Sequence, residues 1–164
     1  LKFLDDEICK ENVCLILKQS IYFDEMDLVG KCLKFIDENA EEVFGSDDFF
    51  SLDQRTLNLL LARDTLTIEA TDVFDAINQW SEDQCRRSEM LTSPANKRKV
   101  LGEALYLVRM SLMTPEEFVS GPIGSKIVNA EEALDVYANF HREDKLETLF
   151  AEGNRRETLS LIKN

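Results

Sequence analysis

Side chains that could act as nucleophiles, general bases or metal ligands are few in this chain. It has a single histidine, His141, and its cysteines form no C-x-x-C pair. A Ser-His-Asp triad or a histidine-rich zinc site needs more of these side chains. The cysteines have mostly apolar or helical neighbours, which favours reduced thiols packed as small hydrophobic groups over a disulfide framework or a zinc site. They are Cys9, Cys14, Cys32 and Cys85.

Two acidic clusters, Asp5-Asp6-Glu7 and Asp47-Asp48, carry carboxylates of the kind that bind cations. Neither has the alternating ligands and turn glycine of a calcium loop, so a solvated face is the preferred interpretation. His141 stands beside Arg142 near a helix end, where a cation interacts favourably with the helix dipole. No dinucleotide-binding, phosphate-loop, zinc-protease or nucleophile-elbow motif occurs. We predict no catalytic, cofactor-binding or metal-binding residue and no enzyme, and keep a metal-dependent hydrolase as a third possibility.

The composition of the 164 residues narrows the class of protein. Thirty-two acidic and nineteen basic residues give a net charge of −13, which would repel a phosphate backbone and argues against nucleic acid as a partner. Hydrophobic residues make up 44%, too many for a disordered acidic tail. No apolar run is long enough for a membrane span, and the first residues lack the pattern of a signal peptide. We expect a soluble, cytoplasmic piece of a longer protein, with no membrane partner.

Hydrophobic periodicity predicts an all-α protein of about seven helices, arranged as stacked helical hairpins. With only 3 prolines and 6 glycines, few positions interrupt a helix. Trp80 continues an apolar stripe at helical spacing and is expected in the core. Three consecutive cations, Lys97 to Lys99, are expected on an outer face. The predicted helices run from Asn12, from Asp24 to Phe44, from Asp53 to Leu61, from Glu69 to Met90, after Ser93, after Thr114 and from Asn129 to Phe140.

Capping residues mark the starts of the predicted helices. Asn12, Asp24 and Asp53 are expected N-caps; Ser93-Pro94, Thr114 with Glu117, and Asn129 with Glu132 are stronger signals.

The acidic charge is concentrated in the first third of the chain. Residues 1–50 hold thirteen acidic and five basic residues, a net charge of −8, whereas residues 51–164 hold nineteen acidic and fourteen basic residues, a net charge of −5.

Four apolar residues in the acidic first third lie off or at the edge of the helical core stripes. One interpretation is an apolar groove rimmed by carboxylates, which would bind another protein. The alternative is that these residues pack against the rest of this chain or against a domain upstream of it. Both interpretations stay open on the sequence. The four residues are Leu15, Tyr22, Phe23 and Met26.

Several segments resemble a known family. Residues 11–36 resemble the 3-box, a helical pair that follows the BTB domain in adaptors of cullin-3 ubiquitin ligases. The segment Leu57 to Trp80, with Leu60-Leu61-Ala62-Arg63-Asp64-Thr65 and Val73-Phe74-Asp75-Ala76-Ile77, is similar to the centre of a BACK domain. Asn96 to Arg109 and Leu112 to Phe118 are similar to the BTB-BACK-PHR subgroup. The resemblance covers roughly residues 3–140.

The resemblance implies a domain organisation and a function. It implies the end of a BTB domain in residues 1–10, a 3-box-like pair in 11–44, the rest of a BACK domain in 45–141, and a polar tail or extra helix in 142–164. It implies a non-catalytic scaffold that binds the cullin-3 N-terminal region through its first helical pair, at Leu15, Tyr22, Phe23 and Met26. No cofactor is implied.

The chain also departs from the family pattern. The BTB domain that would form a homodimer and the PHR domain that would bind protein substrates are missing from it. Met110-Ser111 stands where relatives of the subgroup tend to have an aromatic residue and a proline. The alternative function is a BACK-type scaffold that serves protein interaction or self-association without binding a cullin.

Overall fold

A computed structural model describes residues 7–140, and in that range the chain consists of helices joined by turns and short connections, without a strand. The all-α prediction is confirmed. None of the helices in the described range is long and apolar enough to cross a membrane. The α-helices of this range are α1 (Val13–Tyr22), α2 (Met26–Glu38), α3 (Ala40–Phe44), α4 (Gln54–Leu61), α5 (Ala70–Arg87), α6 (Pro94–Leu101), α7 (Ala104–Leu107), α8 (Pro115–Phe118) and α9 (Ala130–Phe140).

Two of the predicted helices are each divided in two, which accounts for nine α-helices in residues 7–140 where about seven were expected. Asn39 separates α2 from α3: its backbone leaves the helical region, and its side-chain Nδ2 donates to the Phe35 carbonyl at 2.9 Å. Gly102 separates α6 from α7 with a φ of 51°, a left-handed conformation that glycine adopts readily. Periodicity alone continues through both breaks, because the apolar spacing is kept on either side of them.

The chain divides into two compact units, Leu1–Ile68 and Glu69–Asn164, here called the N-terminal unit and the C-terminal unit. In the N-terminal unit α1 packs against α2 as a helical hairpin, and the 3₁₀ turn Asp47–Ser51 packs against α1. The apolar residues of α2 and α3 form one stripe, whose members are buried apart from half-buried Leu33. They include Leu28, Val29, Cys32, Ile36, Ala40, Val43 and Phe44.

An ion pair joins two parts of this unit that are distant in the chain. Asp37, near the end of α2, accepts two hydrogen bonds from Arg63, from Nε at 3.0 Å and from Nη2 at 2.6 Å. Its carbonyl also accepts a hydrogen bond from the Thr67 hydroxyl at 2.9 Å. A bidentate arginine contact of this kind fixes the geometry of both side chains. The residues after α4 are thereby joined to the end of α2.

The caps predicted from short sequence patterns are confirmed in four of six cases. Asp53 Oδ1 accepts the Thr56 amide at 2.8 Å, and Ser93 Oγ accepts the Asn96 amide at 3.2 Å. Thr114 with Glu117 forms a capping box, and Asn129 with Glu132 forms the same reciprocal pair. Each of these pairs satisfies amides that the first helical turn leaves without intrahelical partners.

The other two predicted caps are wrong. Asn12 does stand at the start of α1, but its side chain turns back to the preceding residues, with Oδ1 accepting the Cys9 amide and Nδ2 donating to the Glu7 carbonyl. Asp24 has a φ of 59° and belongs to the turn, while α2 begins at Met26. The competing turn conformation was open to Asp24 because aspartate tolerates the left-handed region better than most residues do.

Replacing Asp53 by alanine is expected to lower the free energy of unfolding by about 1 kcal/mol, because the Thr56 amide loses its acceptor. Urea unfolding followed by circular dichroism measures the change. Glu69 provides a matched control: it is also an acidic residue at a helix start, but its side chain makes no cap hydrogen bond. Equal losses in Asp53→Ala and Glu69→Ala would show that the cap at Asp53 contributes nothing.

In the C-terminal unit, α5 presents its apolar face to the core as predicted. Trp80 is 2% exposed, and Val73, Phe74 and Ile77 are buried with it. The helix that follows Thr114 is short: α8 ends at Phe118 and a π turn, Val119–Ile123, follows with Pro122 inside it. A proline inside this turn supplies no amide for a helical ladder, so the regular helix ends before it.

The outward placement predicted for the cations of α6 is wrong for two of the three. Lys97 is 8% exposed, and its Nζ donates to Asn78 Oδ1 at 2.9 Å and to Glu82 Oε1 at 3.0 Å. Arg98 forms an ion pair with Glu132 of α9. Lys99 alone of the three is exposed. The reason is that α6 has only a few apolar residues, so lysine and arginine stems also cover its inner side.

Candidate functional site

The four apolar residues predicted to form a groove are exposed on the N-terminal unit. The exposed fractions are 43% for Leu15, 82% for Tyr22, 69% for Phe23 and 65% for Met26. We call these four residues the apolar patch. None of them is covered by the described part of the chain to the degree of a core residue, so packing within residues 7–140 does not account for them. Exposed aromatic and thioether side chains are typical of protein contact surfaces.

The patch is built on one face of α1, on the turn that follows it and on the first residue of α2. Leu15 and Tyr22 are seven residues apart, which is about two helical turns and places them on one side of α1. The opposite side of α1 is buried, with Val13, Ile16 and Leu17 in the core. Leu15 and Tyr22 fall outside this buried stripe, which is why the spacing predicts them at the surface of the helix.

The turn between α1 and α2 is held by backbone hydrogen bonds. The Phe23 amide donates to the Gln19 carbonyl and the Glu25 amide donates to the Ser20 carbonyl, each at 2.9 Å. The rings of Tyr22 and Phe23 meet edge to face, with centroids 5.1 Å apart. An edge-to-face pair restrains both rings, so less freedom is lost when a partner covers them.

Carboxylates flank the turn end of the patch. Asp24, Glu25 and Asp27 are all exposed and follow Phe23 closely in the chain. Lys18 is the exposed cation on α1, and its Nζ donates to the Ser51 carbonyl at 3.4 Å. The local charge at the turn is therefore negative, which attracts a partner segment carrying lysine or arginine.

Asp48 binds the backbone at the Leu15 end of the patch, so the solvated placement predicted for this residue is wrong. Asp48 was expected on a solvated face with Asp47, but its carboxylate accepts the Cys14 amide at 2.6 Å and the Leu15 amide at 3.3 Å. Asp47 is exposed as expected. Burial raises the pKa of Asp48, although its hydrogen bonds with Cys14, Leu15 and Ser51 oppose the rise. No short sequence pattern reveals this cap, because the two partners are about 34 residues apart.

The cysteines give no sign of nucleophilic chemistry in the part of the chain that the structure describes. All four thiols are free; Cys14, Cys32 and Cys85 are buried, as small hydrophobic groups are, and Cys9 is partly exposed. Burial raises the pKa of Cys14 far above its usual value, and Asp48 and Cys32 raise it further. Cys14 therefore stays a thiol at neutral pH, whereas the thiolate is the reactive form.

The remaining chemical candidates add no site. In residues 7–140 no group of three or more His, Cys, Asp or Glu side chains is arranged to hold a metal ion. His141, Asp5 and Asp6 lie outside the described residues, as do most of residues 1–10 and the whole of 142–164. The apolar patch is thus the candidate functional site on the described part of the molecule.

The sequence is similar to proteins that are named for a BTB/POZ domain. The chain is 39% identical over 137 residues to BTB/POZ domain-containing protein 6 of Xenopus tropicalis, covering 84% of this chain and 26% of that protein. It is 35% identical over 156 residues to BTB/POZ domain-containing protein 3 of Homo sapiens, covering 95% of this chain and 30% of that protein. No solved structure gives a significant match.

The extent of the matches sets what they establish. The chain spans between a quarter and a third of the length of these relatives, so they inform on one region of a longer protein. The family model described as BACK, for BTB And C-terminal Kelch, matches residues 13–121, which include α1 to α8 and the apolar patch. Since that model covers well over half of the sequence, the chain belongs to the BACK family.

Proposed function

We propose that this chain is the non-catalytic helical scaffold of a substrate adaptor for a cullin-3 ubiquitin ligase. In this proposal the apolar patch binds the N-terminal region of the cullin, and the rest of the chain holds a substrate-binding domain at a set distance from the ligase. The observation that carries the proposal is the exposed patch of Leu15, Tyr22, Phe23 and Met26 beside a negatively charged turn. The adaptor works in the cytoplasm.

The domain organisation proposed with this function follows the family resemblance. Residues 1–10 would be the end of a BTB domain, 11–44 the 3-box-like pair, 45–141 the rest of the BACK domain and 142–164 a polar tail or extra helix. The relatives are named for a BTB/POZ domain. A domain of that kind would form the homodimer, and a further domain would bind the protein substrate.

The physical basis of the proposed contact is a division of roles between charge and burial. The family resemblance implies a cullin segment that is basic and apolar, and such a segment is drawn to the acidic turn, which raises the association rate. The aromatic pair Tyr22 and Phe23 then loses its exposure to water, which slows dissociation, because buried aromatic anchors usually carry most of the energy of a contact.

Changing Tyr22 and Phe23 together to alanine is expected to weaken binding of the cullin-3 N-terminal segment at least about tenfold. Fluorescence anisotropy of a labelled segment titrated with the 164-residue chain measures this. Leu134→Ala is the control, because Leu134 is 70% exposed but belongs to the C-terminal unit. Unchanged affinity in the double variant would refute the assignment of the patch.

A second candidate function is a BACK-type scaffold for protein interaction or self-association that binds no cullin. The same exposed patch supports it, because an apolar surface of this kind also suits a copy of the chain or another protein. Salt distinguishes the two. Binding of the cullin segment that weakens as salt is raised supports the first function, and no binding at any salt concentration supports the second.

A further inference from the structure

Asp48 connects two parts of the N-terminal unit that are far apart in the chain. It lies in the 3₁₀ turn Asp47–Ser51, and its carboxylate reaches the first turn of α1. Oδ2 accepts the Cys14 amide at 2.6 Å and Oδ1 accepts the Leu15 amide at 3.3 Å. The Ser51 hydroxyl donates to the Asp48 carbonyl at 2.6 Å, which holds the turn in shape.

The first turn of α1 depends on this carboxylate because its own cap residue is engaged elsewhere. The first amides of any α-helix have no partner within the helix. Asn12 stands at the cap position, but its side chain binds Cys9 and Glu7 instead. Asp48 therefore supplies from a distance what a cap residue normally supplies locally.

Leu15 is the member of the apolar patch that lies on this first turn, and its own amide is one of the two that Asp48 binds. We propose that Asp48 is a positioning residue of the patch: by capping α1 it holds Leu15 where a partner segment contacts it. This inference rests on the proposed function, since it assumes that the patch binds a partner. Asp48 itself acts through the helix and does not touch the partner.

A double-mutant cycle between Asp48 and Leu15 tests the proposal in the 164-residue chain. If Asp48 acts through Leu15, then Asp48→Ala and Leu15→Ala each weaken binding of the cullin-3 N-terminal segment about fivefold. The double variant then also binds the segment only about fivefold more weakly than the original chain does. If the two losses multiply to about 25-fold, Asp48 acts independently of Leu15 and the proposal is overturned. An Asp48→Ala variant that binds as tightly as the original chain overturns it as well.

Asp47 provides the control for charge. Asp47→Ala removes the same charge from the neighbouring position, but Asp47 is exposed and no described hydrogen bond joins it to α1. We expect this change to lower only the association rate, by about twofold at low salt, and to have no effect at high salt. The loss of affinity in Asp48→Ala should persist at high salt and should result from faster dissociation. A loss of affinity that disappears at high salt would overturn the proposal.

A measurement without the partner separates failure of this inference from failure of the proposed function. Hydrogen exchange at the Cys14 and Leu15 amides is expected to speed up at least about tenfold in Asp48→Ala, which removes both acceptor oxygens, while amides of α2 stay protected. If the segment binds but these amides exchange as before, only the positioning role fails. If the segment does not bind the unchanged chain at any salt concentration, the proposed function fails, and the positioning role with it.

Discussion

Replacing Trp80 by alanine is expected to lower the free energy of unfolding of the C-terminal unit by about 4 kcal/mol. The side chain is 2% exposed and lies on the buried face of α5. Truncating it removes the largest buried side chain of the described residues and leaves a cavity that rigid helices fill only in part. Because small domains are stable by only about 5 to 15 kcal/mol, the loss is a large share of the total.

Urea unfolding followed by circular dichroism measures the effect of this change, because the variant has no tryptophan left for fluorescence. Gln79→Ala is the matched control: it lies next to Trp80 on α5 but is exposed, and it should change the free energy of unfolding by less than about 0.5 kcal/mol. A loss below about 1 kcal/mol in Trp80→Ala would contradict the placement of Trp80 in the core.

The helices and most of their caps could be predicted because their causes are local. Apolar spacing over two or three turns identifies the buried face, and a capping box lies within four residues, as at Thr114 and Glu117. The helix breaks at Asn39 and Gly102 escaped prediction for a related reason. Each break is a change in the backbone of one residue that leaves the apolar spacing intact.

The pairings of charged side chains could not be predicted, because they join residues that are distant in the chain. Lys97 reaches a glutamate 15 residues away, and Arg98 reaches one 34 residues away. In the sequence, three consecutive cations on a helix are typical of a solvated face. Only the packing of neighbouring elements decides which of the three is drawn inward and paired.

The apolar patch could be predicted in part. Leu15, Tyr22, Phe23 and Met26 fall outside the core stripes, and their exposure in the structure agrees with that reasoning. The cap that Asp48 provides for the same helix could not be predicted, because it depends on a turn more than 30 residues later. Local periodicity therefore identifies which residues form a surface, while tertiary contacts determine how the backbone of those residues is positioned.

Arg98 is the centre of a side-chain network in the C-terminal unit. Its guanidinium donates twice to the Glu132 carboxylate, with Nη1 to Oε2 at 2.8 Å, and also donates to the Ile127 carbonyl at 2.7 Å. The Tyr106 hydroxyl accepts from Arg98 and donates to Glu132. The network joins α6 and α7 to α9 around a glutamate that is 3% exposed.

Removing the arginine should cost more than the hydrogen bonds alone, because it leaves the buried carboxylate of Glu132 without its countercharge. We expect Arg98→Met to lower the free energy of unfolding by about 3 kcal/mol at neutral pH. Changing both residues, in Arg98→Met with Glu132→Gln, should cost less than the sum of the single changes, because no unpaired charge then remains buried. Strict additivity would contradict the pairing.

The pH dependence of the free energy of unfolding tests the same ion pair in a second way. The hydrogen bonds from Arg98 hold the pKa of Glu132 below its usual value, against the opposing effect of burial. A lowered pKa in the folded state contributes stability above the usual pKa of a glutamate, and that stability is lost as the pH falls through the lowered value. Arg98→Met removes this contribution. The difference in free energy of unfolding between the original chain and the variant should therefore narrow from about 3 kcal/mol at pH 7 to less than about half of that near pH 3. A difference that stays constant across this range, measured by urea unfolding at each pH, would show that Arg98 stabilises the unit through its packing and not through the charge of Glu132.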